Sequence, residues 1–477
     1  TLRIFSTFGQ PNWMAGFLAM AILIMFGFSQ ASKNFRFAIF GIFVNSVLFA
    51  AFLLTNSRSA SLALLVSLLG FLTILIFLKF RQKLEINFAS IGATLIIFAI
   101  LTLFFGQNLL GRVREVKVEQ VAISPQSQTQ AQTPPQTSGP TESGQIRLIV
   151  WKGAIEIFKH YPSFGSGVET FGYSYYNFRP AEHNLTTEWN FLYNKAHNEF
   201  LNYAATTGIL GLGSFLSIIL VYTMAVLRLT FNRSNNKIEK LLIVGLFTSI
   251  LSYLIHNFFG FSVISTAFFF WIILASTLII GVPAIKLIGF KPNFSLILIP
   301  IVFLLFSVYT IVRFYLADIN FAKGLLRFEG GIYQEAQTYF EKAIKLSPLP
   351  QPLFFAYQGY NLAILSQVNS SLVQSAINNV EKSQKFSKVN LTTMRLAANT
   401  YLELSSSNPY YLDRTIELAN HLLKIAPTDA ETHFQVAQIL KIAGKDLEAE
   451  KIIKKAIELK SDYFEAIETR NSWQKED

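Results

Sequence analysis

The sequence predicts an all-α protein in two parts, a polytopic transmembrane helix bundle followed by an α-helical repeat domain. Three observations carry this. Just over half of the residues are hydrophobic, 52%, and the mean hydropathy is +0.39. The apolar residues fall in runs of roughly 18–25, the length that takes a helix across a bilayer. After residue 316 no further run of that length occurs, and small residues recur instead at the spacing of stacked helix pairs. A large soluble core would need charged faces on the apolar runs, and they have none.

Taken in order, the runs predict about eight spans: 11–29, 36–54, 60–79 and 88–105, then 200–227, 241–259, 264–285 and 295–316. Residues 1–105 therefore form a first set of transmembrane helices and 200–316 a second. The opening Thr1-Leu2-Arg3-Ile4-Phe5 has neither the form of an initiator sequence nor that of a signal peptide, which predicts that earlier helices precede it. Between the two sets lies a polar loop, 106–199. Its residues 106–121 are mixed and charged. Residues 122–145 contain no Lys, Arg or aromatic residue and are rich in Pro, Ser, Thr and Gln, a composition that predicts a disordered insert. From Ile146 a helical pattern resumes, with Arg147, Trp151, Ala154 and Phe158 along one stripe suited to a membrane surface, until Pro162 stops it.

Residues 317–477 form the repeat domain. Gly324, Gly331, Tyr333, Ala336, Phe340, Ala343 and Pro348 fit the small and large positions of a tetratricopeptide repeat, whose period is about 34 residues. A second copy gives Ala437, Gly444, Ala449, Ile453 and Ala456, and Ala419, Leu422 and Pro427 keep the register in a degenerate middle. Helical hairpins that merely cap the membrane part are the plainer alternative.

Short-loop cations orient the bundle. Lys33 and Arg36, then Lys79, Arg81 and Lys83, then Arg228, Arg233, Lys237 and Lys240, then Lys286 and Lys291 follow alternate spans and are expected on the cytoplasmic side. The 106–199 loop and residues 317–477 then lie outside the cytoplasmic (inner) membrane. The net charge of +11 is explained by these loops meeting anionic lipid, with no nucleic-acid partner required. The chain has no cysteine, hence neither a disulfide framework nor a cysteine-bearing metal site.

Chemistry is expected where charge meets the outer surface. Arg3, Arg58 and Arg147 fall near helix ends on that side together with His197. Arginine keeps its charge at any working pH and grips phosphate oxygens with two prongs, so this set suggests a site for a lipid-borne phosphate or diphosphate. Any one of them alone reads more simply as an interfacial anchor. An ordinary imidazole, with a pKa near ~6.5, can act as general base, and His197 stands just ahead of Asn198 and Glu199 at a helix start. His160 and His183 read as solvated residues, and His256, inside a span, as one facing the bundle interior. No metal-ligand spacing occurs, so neither metal nor other cofactor is expected.

These residues carry a family resemblance. Asn56-Ser57-Arg58-Ser59-Ala60 opens a span; Arg147-Leu148-Ile149-Val150-Trp151, Pro162, Gly165-Ser166-Gly167 with Phe171, and Ala196-His197-Asn198-Glu199-Phe200 with Gly208 and Gly211 follow. In this order they resemble the O-antigen ligase and polymerase family over residues 1–285, and Arg3 through Pro11-Asn12 looks like a further motif of it. A C-terminal tetratricopeptide extension is a familiar layout there. The resemblance implies a metal-independent glycosyltransferase that moves a glycan from a polyprenyl diphosphate carrier to an acceptor hydroxyl outside the cytoplasmic membrane. It implies that Arg58 and Arg147 hold the diphosphate and that His197 activates the acceptor. Arg3, Trp151, Gly165, Gly167, Glu169 and Asn198 are then substrate-binding candidates, with Glu169 a rival for the base role and the two glycines permitting a tight turn.

The acceptor is a lipid, a growing glycan or a protein, and the repeats are expected to bind it or a protein partner. Two other classes stay open: a transporter of lipid-linked sugars, which should show paired broken helices or place charges deep in several spans, and a membrane-anchored scaffold that works through its repeats alone.

Overall fold

A computed structural model describes residues 3–31, 34–106, 143–231, 236–281 and 294–476. The insert 122–145 falls almost wholly outside the described residues, as do 107–121 and the loop cations Lys33, Arg233, Lys286 and Lys291. Among the described residues every regular element is a helix. The helices are α1 (Pro11–Ala31), α2 (Phe35–Leu54), α3 (Arg58–Gln82), α4 (Phe88–Phe105), α5 (Ser143–His160), α6 (Phe171–Phe178), α7 (Glu199–Phe231), α8 (Lys237–Phe258), α9 (Ile264–Gly281) and α10 (Phe294–Glu329). Eight more follow: α11 (Tyr333–Leu346), α12 (Pro352–Ser366), α13 (Val373–Phe386), α14 (Leu391–Ser405), α15 (Tyr410–Ile425), α16 (Ala430–Ile442), α17 (Asp446–Leu459) and α18 (Phe464–Glu476).

Seven of the eight expected spans correspond to helices long and apolar enough to cross a membrane: α1 to α4, α7, α8 and Leu298–Glu329 of α10. The eighth, Ile264–Ile280 in α9, is apolar but shorter. The chain divides into two compact units, one from the described residues of Thr1–Gly139, Ile157–Val168 and Lys195–Lys286, the other from those of Pro140–Glu156, Glu169–Asn194 and Leu287–Asp477.

The first unit is a bundle built around α1 and α8, with α3, α2 and α9 packed on them. Lipid tails are as apolar as leucine, so close backbone approach, rather than escape from water, must hold such helices together. Glycine supplies the approach here. A Cβ on Gly41 would meet Ser29 Cβ at 2.6 Å, and one on Gly16 would meet His256 Cδ2 at 2.8 Å. Beside these contacts Phe26, Phe71, Leu75 and Leu78 are fully enclosed, and Phe49 stacks on Phe98 with ring centroids 3.8 Å apart. Helix ends follow local chemistry. Asn34, Asn87 and Asn236 cap α2, α4 and α8 with side-chain oxygens, and Lys79 and Arg81 complement the C-terminal dipole of α3.

The second unit is the repeat array. The end of α10 pairs with α11, α12 with α13, α14 with α15 and α16 with α17, while α18 closes the stack. The small positions read from sequence are its contacts: Ala336, Phe340, Ala343, Ala437, Ala449, Ile453 and Ala456 are wholly buried. Gly324 lets Phe340 sit flat, since a Cβ there would lie 2.6 Å from the ring. The degenerate middle forms complete hairpins too, its register kept by buried Ala376, Val380, Ala419 and Leu422.

Candidate functional site

Within the bundle, the start of α3 is an exposed charge above buried polar atoms. Asn56 has a left-handed backbone, φ 51°, which turns the chain from α2 into α3. Asn56 Oδ1 and Ser57 Oγ are buried with no hydrogen-bond partner among the described residues, and Arg58, exposed, is the first helical residue. A helix start offers unpaired N–H groups and positive potential, so the start of α3 with the Ser57 hydroxyl and the Arg58 guanidinium suits an anion. Arg3 is anchored beside them: its Nε donates to the Thr55 carbonyl at 2.7 Å and its Nη2 to Asn12 Oδ1 at 2.8 Å. Ser59 Oγ lies 3.4 Å from Nδ1 of His256, whose ring is buried against Gly16 as expected of an inward-facing histidine.

His197 belongs to the same unit. It is half-buried, in left-handed backbone with φ 54°, and its ring meets Phe261 edge to face at 4.9 Å. Phe261 in turn meets Trp13 at 6.1 Å. Strained backbone at a polar residue is a common mark of a working site. His197 Nδ1 lies 3.2 Å from the Lys195 carbonyl, so a proton held there makes Nε2 the basic nitrogen. Asn198 is buried and caps α7, its Oδ1 accepting from Leu201 N at 3.0 Å. Glu199, read from sequence only as part of the helix start, is buried and accepts from Ser262 N at 3.0 Å.

Gly165 and Gly167 form a turn locked to a break in α7. Gly208 leaves helical geometry with φ 66° and ψ −166°, and the broken backbone is satisfied across the gap. Ser166 N donates to Ala205 O at 2.9 Å, Gly167 N to Thr206 O at 2.9 Å and Ile209 N to Pro162 O at 2.8 Å. A Cβ on Gly165 would lie 2.2 Å from the Thr206 carbonyl carbon, which only glycine allows.

Arg147 and Trp151 belong to the second unit, on the first part of α5. Both are half-buried beside the enclosed residues Ile146, Val150, Ala154 and Ile157, so of the stripe expected at the membrane surface only Ala154 lies on the buried face of α5. Gly153 admits Tyr175 of α6, whose ring a Cβ would meet at 2.5 Å. Burial lowers the Arg147 pKa from its ordinary value, opposed by Tyr193 and Glu188. His183, expected to be solvated, is wholly buried: Nδ1 is 2.7 Å from Tyr175 Oη and Nε2 is 3.2 Å from Glu188 O. Burial, with the nearby charge of Arg179, depresses its pKa to about 4. Glu169 is exposed, with φ 60°. His160 is exposed against Tyr161. Among the described residues no cluster of metal-ligating side chains occurs.

Residues 43–216 match the O-antigen ligase family, and residues 317–348 and 430–463 match the tetratricopeptide repeat. No curated protein matches the chain. Among solved structures, a thermophilic tetratricopeptide protein of Thermus thermophilus is 20% identical over 30% of this chain and 75% of its own, with a TM-score of 0.26. YrrB, described as a tetratricopeptide protein with an unusual peptide-binding site, is 17% identical over 32% of this chain and 74% of its own, with a TM-score of 0.24.

Proposed function

We propose that this chain, a multi-pass membrane protein with an O-antigen ligase domain followed by tetratricopeptide repeats, transfers a glycan from a polyprenyl diphosphate to an acceptor hydroxyl outside the cytoplasmic membrane. The observation that carries the reading is the start of α3, where the Ser57 hydroxyl, able to donate, is buried without a partner among the described residues beside exposed Arg58 at a helix N-terminus. Buried polar atoms are costly when unpaired, and a bound diphosphate would supply an anion to Arg58 and the helix start.

In this reaction the acceptor oxygen attacks the anomeric carbon and the bond to the diphosphate oxygen breaks, its electron pair leaving with the diphosphate. His197 Nε2 takes the acceptor proton, and Arg58 and Arg147 hold the diphosphate. A single in-line displacement inverts the anomeric centre. The acceptor is a lipid, a growing glycan or a protein, and an extended acceptor suits a repeat surface best. A transporter would need the break in α7 available to its cargo; its backbone groups at 205, 206 and 209 are already paired with 162–167.

The test is transfer from a polyprenyl diphosphate-linked glycan in membranes, comparing the wild-type chain with His197→Ala and Arg147→Ala at matched expression. Loss of transfer with accumulation of donor is the expected result. Unchanged transfer in both variants would dismiss the site.

A further inference from the structure

The repeats hold a piece of the loop that precedes α7. Arg179, at the end of α6, is buried, and its guanidinium donates through Nη1 to Asp429 and through Nη2 to the Trp189 carbonyl and to Asn184 Oδ1, the last at 3.1 Å. Asp429 is the N-cap of α16 and also accepts from Arg395 at 3.0 Å and from Thr432 N at 2.9 Å. Backbone joins the side chains: Thr428 Oγ1 donates to Arg179 O at 2.6 Å, and Asn184 Nδ2 to Thr428 O at 2.7 Å. Trp189 meets the ring of Tyr463 at 5.0 Å, with Lys460 Nζ 4.9 Å from the indole centroid. This edge of the array is therefore occupied by its own chain.

The same segment touches the helix that carries Arg147, at Gly153 and through the Lys152–Glu182 ion pair. Trp189, whose carbonyl Arg179 grips, follows Glu188, and Tyr193 Oη donates to the Glu188 carboxylate. His183 bridges Tyr175 to the Glu188 carbonyl, and Tyr175 packs into the notch at Gly153, six positions along α5 from Arg147. A continuous set of contacts thus runs from Asp429 through Arg179, the Glu188–Trp189 backbone, His183 and Tyr175 to Gly153 of α5.

We propose that Arg179 and Asp429 are positioning residues through which the repeat array sets the loop around Arg147, so that the repeats act on the donor site of their own chain. This rests on the reading of Arg147 as a diphosphate-binding residue. A buried ion pair broken on one side leaves a charge without its partner, so the loop would be released rather than relaxed.

The experiment uses the full chain in lipid nanodiscs with Asp429→Asn, which keeps an N-cap acceptor for α16, Arg179→Lys, and Arg414→Ala on an exposed ion pair as control. Hydrogen exchange is followed in 180–193 and 144–156, and donor KM and kcat are measured separately. Asp429→Asn is expected to speed exchange in both segments while α17 stays protected, and to raise donor KM by about tenfold with kcat little changed. Arg179→Lys should fall between, and Arg414→Ala should match wild type. Unchanged exchange in 180–193, faster exchange there without any change in 144–156, or an unchanged donor KM would each overturn the proposal. If the wild-type chain transfers no glycan, the functional reading falls, and the exchange in 144–156 still decides whether the repeats reach Arg147.

Discussion

Gly27 of α1 and Gly245 of α8 touch backbone to backbone: a Cβ on either would lie 2.7 Å from the Cα of the other. This crossing sits at the centre of the bundle that carries Arg58, His256 and His197. Because each methyl would strike main chain, neither can be accommodated by a rotamer change. Gly27→Ala and Gly245→Ala are each expected to cost about 1–3 kcal/mol or more by overpacking, read as a lower melting temperature of the detergent-solubilised protein. Wild-type melting in both would show that α1 and α8 do not cross here.

Gly208 and Gly213 make a matched pair on α7. Gly208 has φ 66° and ψ −166°, with a Cβ position 2.3 Å from Ser163 O, whereas Gly213 is helical with nothing within 4 Å. Gly208→Ala should therefore reduce the yield of folded protein sharply, and Gly213→Ala should leave it unchanged or raise it by roughly the helix preference of about 1 kcal/mol. Size-exclusion profiles of the two variants check this; equal behaviour would remove the locked break.

At Arg58 the geometry of the charge is expected to matter as well as its sign. Arg58→Lys keeps a cation but loses the two-pronged grip on a diphosphate, so donor KM should rise, and Arg58→Ala should raise it further. His197→Ala should instead lower kcat by about 10²–10⁴-fold, the usual worth of a general base. Steady-state kinetics with a polyprenyl diphosphate-linked donor separate the two effects. An equal fall in kcat from all three substitutions would contradict the assigned roles.

The loop around His183 should loosen in mild acid. Its folded pKa of about 4 lies below the ordinary value of 6.5, so the unfolded loop binds more protons between these limits and stability falls as pH drops through that window. From pH 7 to pH 5 the loss is about 2 kcal/mol. Arg179 and Arg395 outweigh burial to hold the Asp429 carboxyl below its ordinary value, so its contribution is lost only in stronger acid. Burial lowers the His433 pKa too, so it contributes with the same sign as His183. Limited proteolysis within 171–194 should be faster at pH 5 than at pH 7 in wild type and less pH-dependent in His183→Gln. A pH-independent wild type would refute the assignment.

Much of the architecture was legible in the chain because it is written in local periods. Runs of crossing length marked α1 to α4, α7, α8 and α10, and the small positions Ala336, Ala343, Ala437 and Ala449 marked the repeats, since a residue's place on its own helix needs no knowledge of distant partners. Arg58 at a helix start was readable for the same reason. The buried face of α5 was not legible, because Arg147, Trp151 and Phe158 keep the helical period as well as Ile146, Val150 and Ile157 do; what packs against Gly153 decides between them.

What the sequence determined by itself is the all-α class, the order of membrane and repeat segments, and the kinds of charge near the helix ends. Only the tertiary structure decided which of those polar groups are buried and with whom. Arg179 and Asp429 are 250 residues apart, Ser59 and His256 are 197, and Glu199 and Ser262 are 63. In composition, Arg179, His183 and Asp429 are ordinary solvated residues of polar segments. Their burial is favourable only because each finds its partner across a closed loop, and a chain read residue by residue carries no trace of that closure.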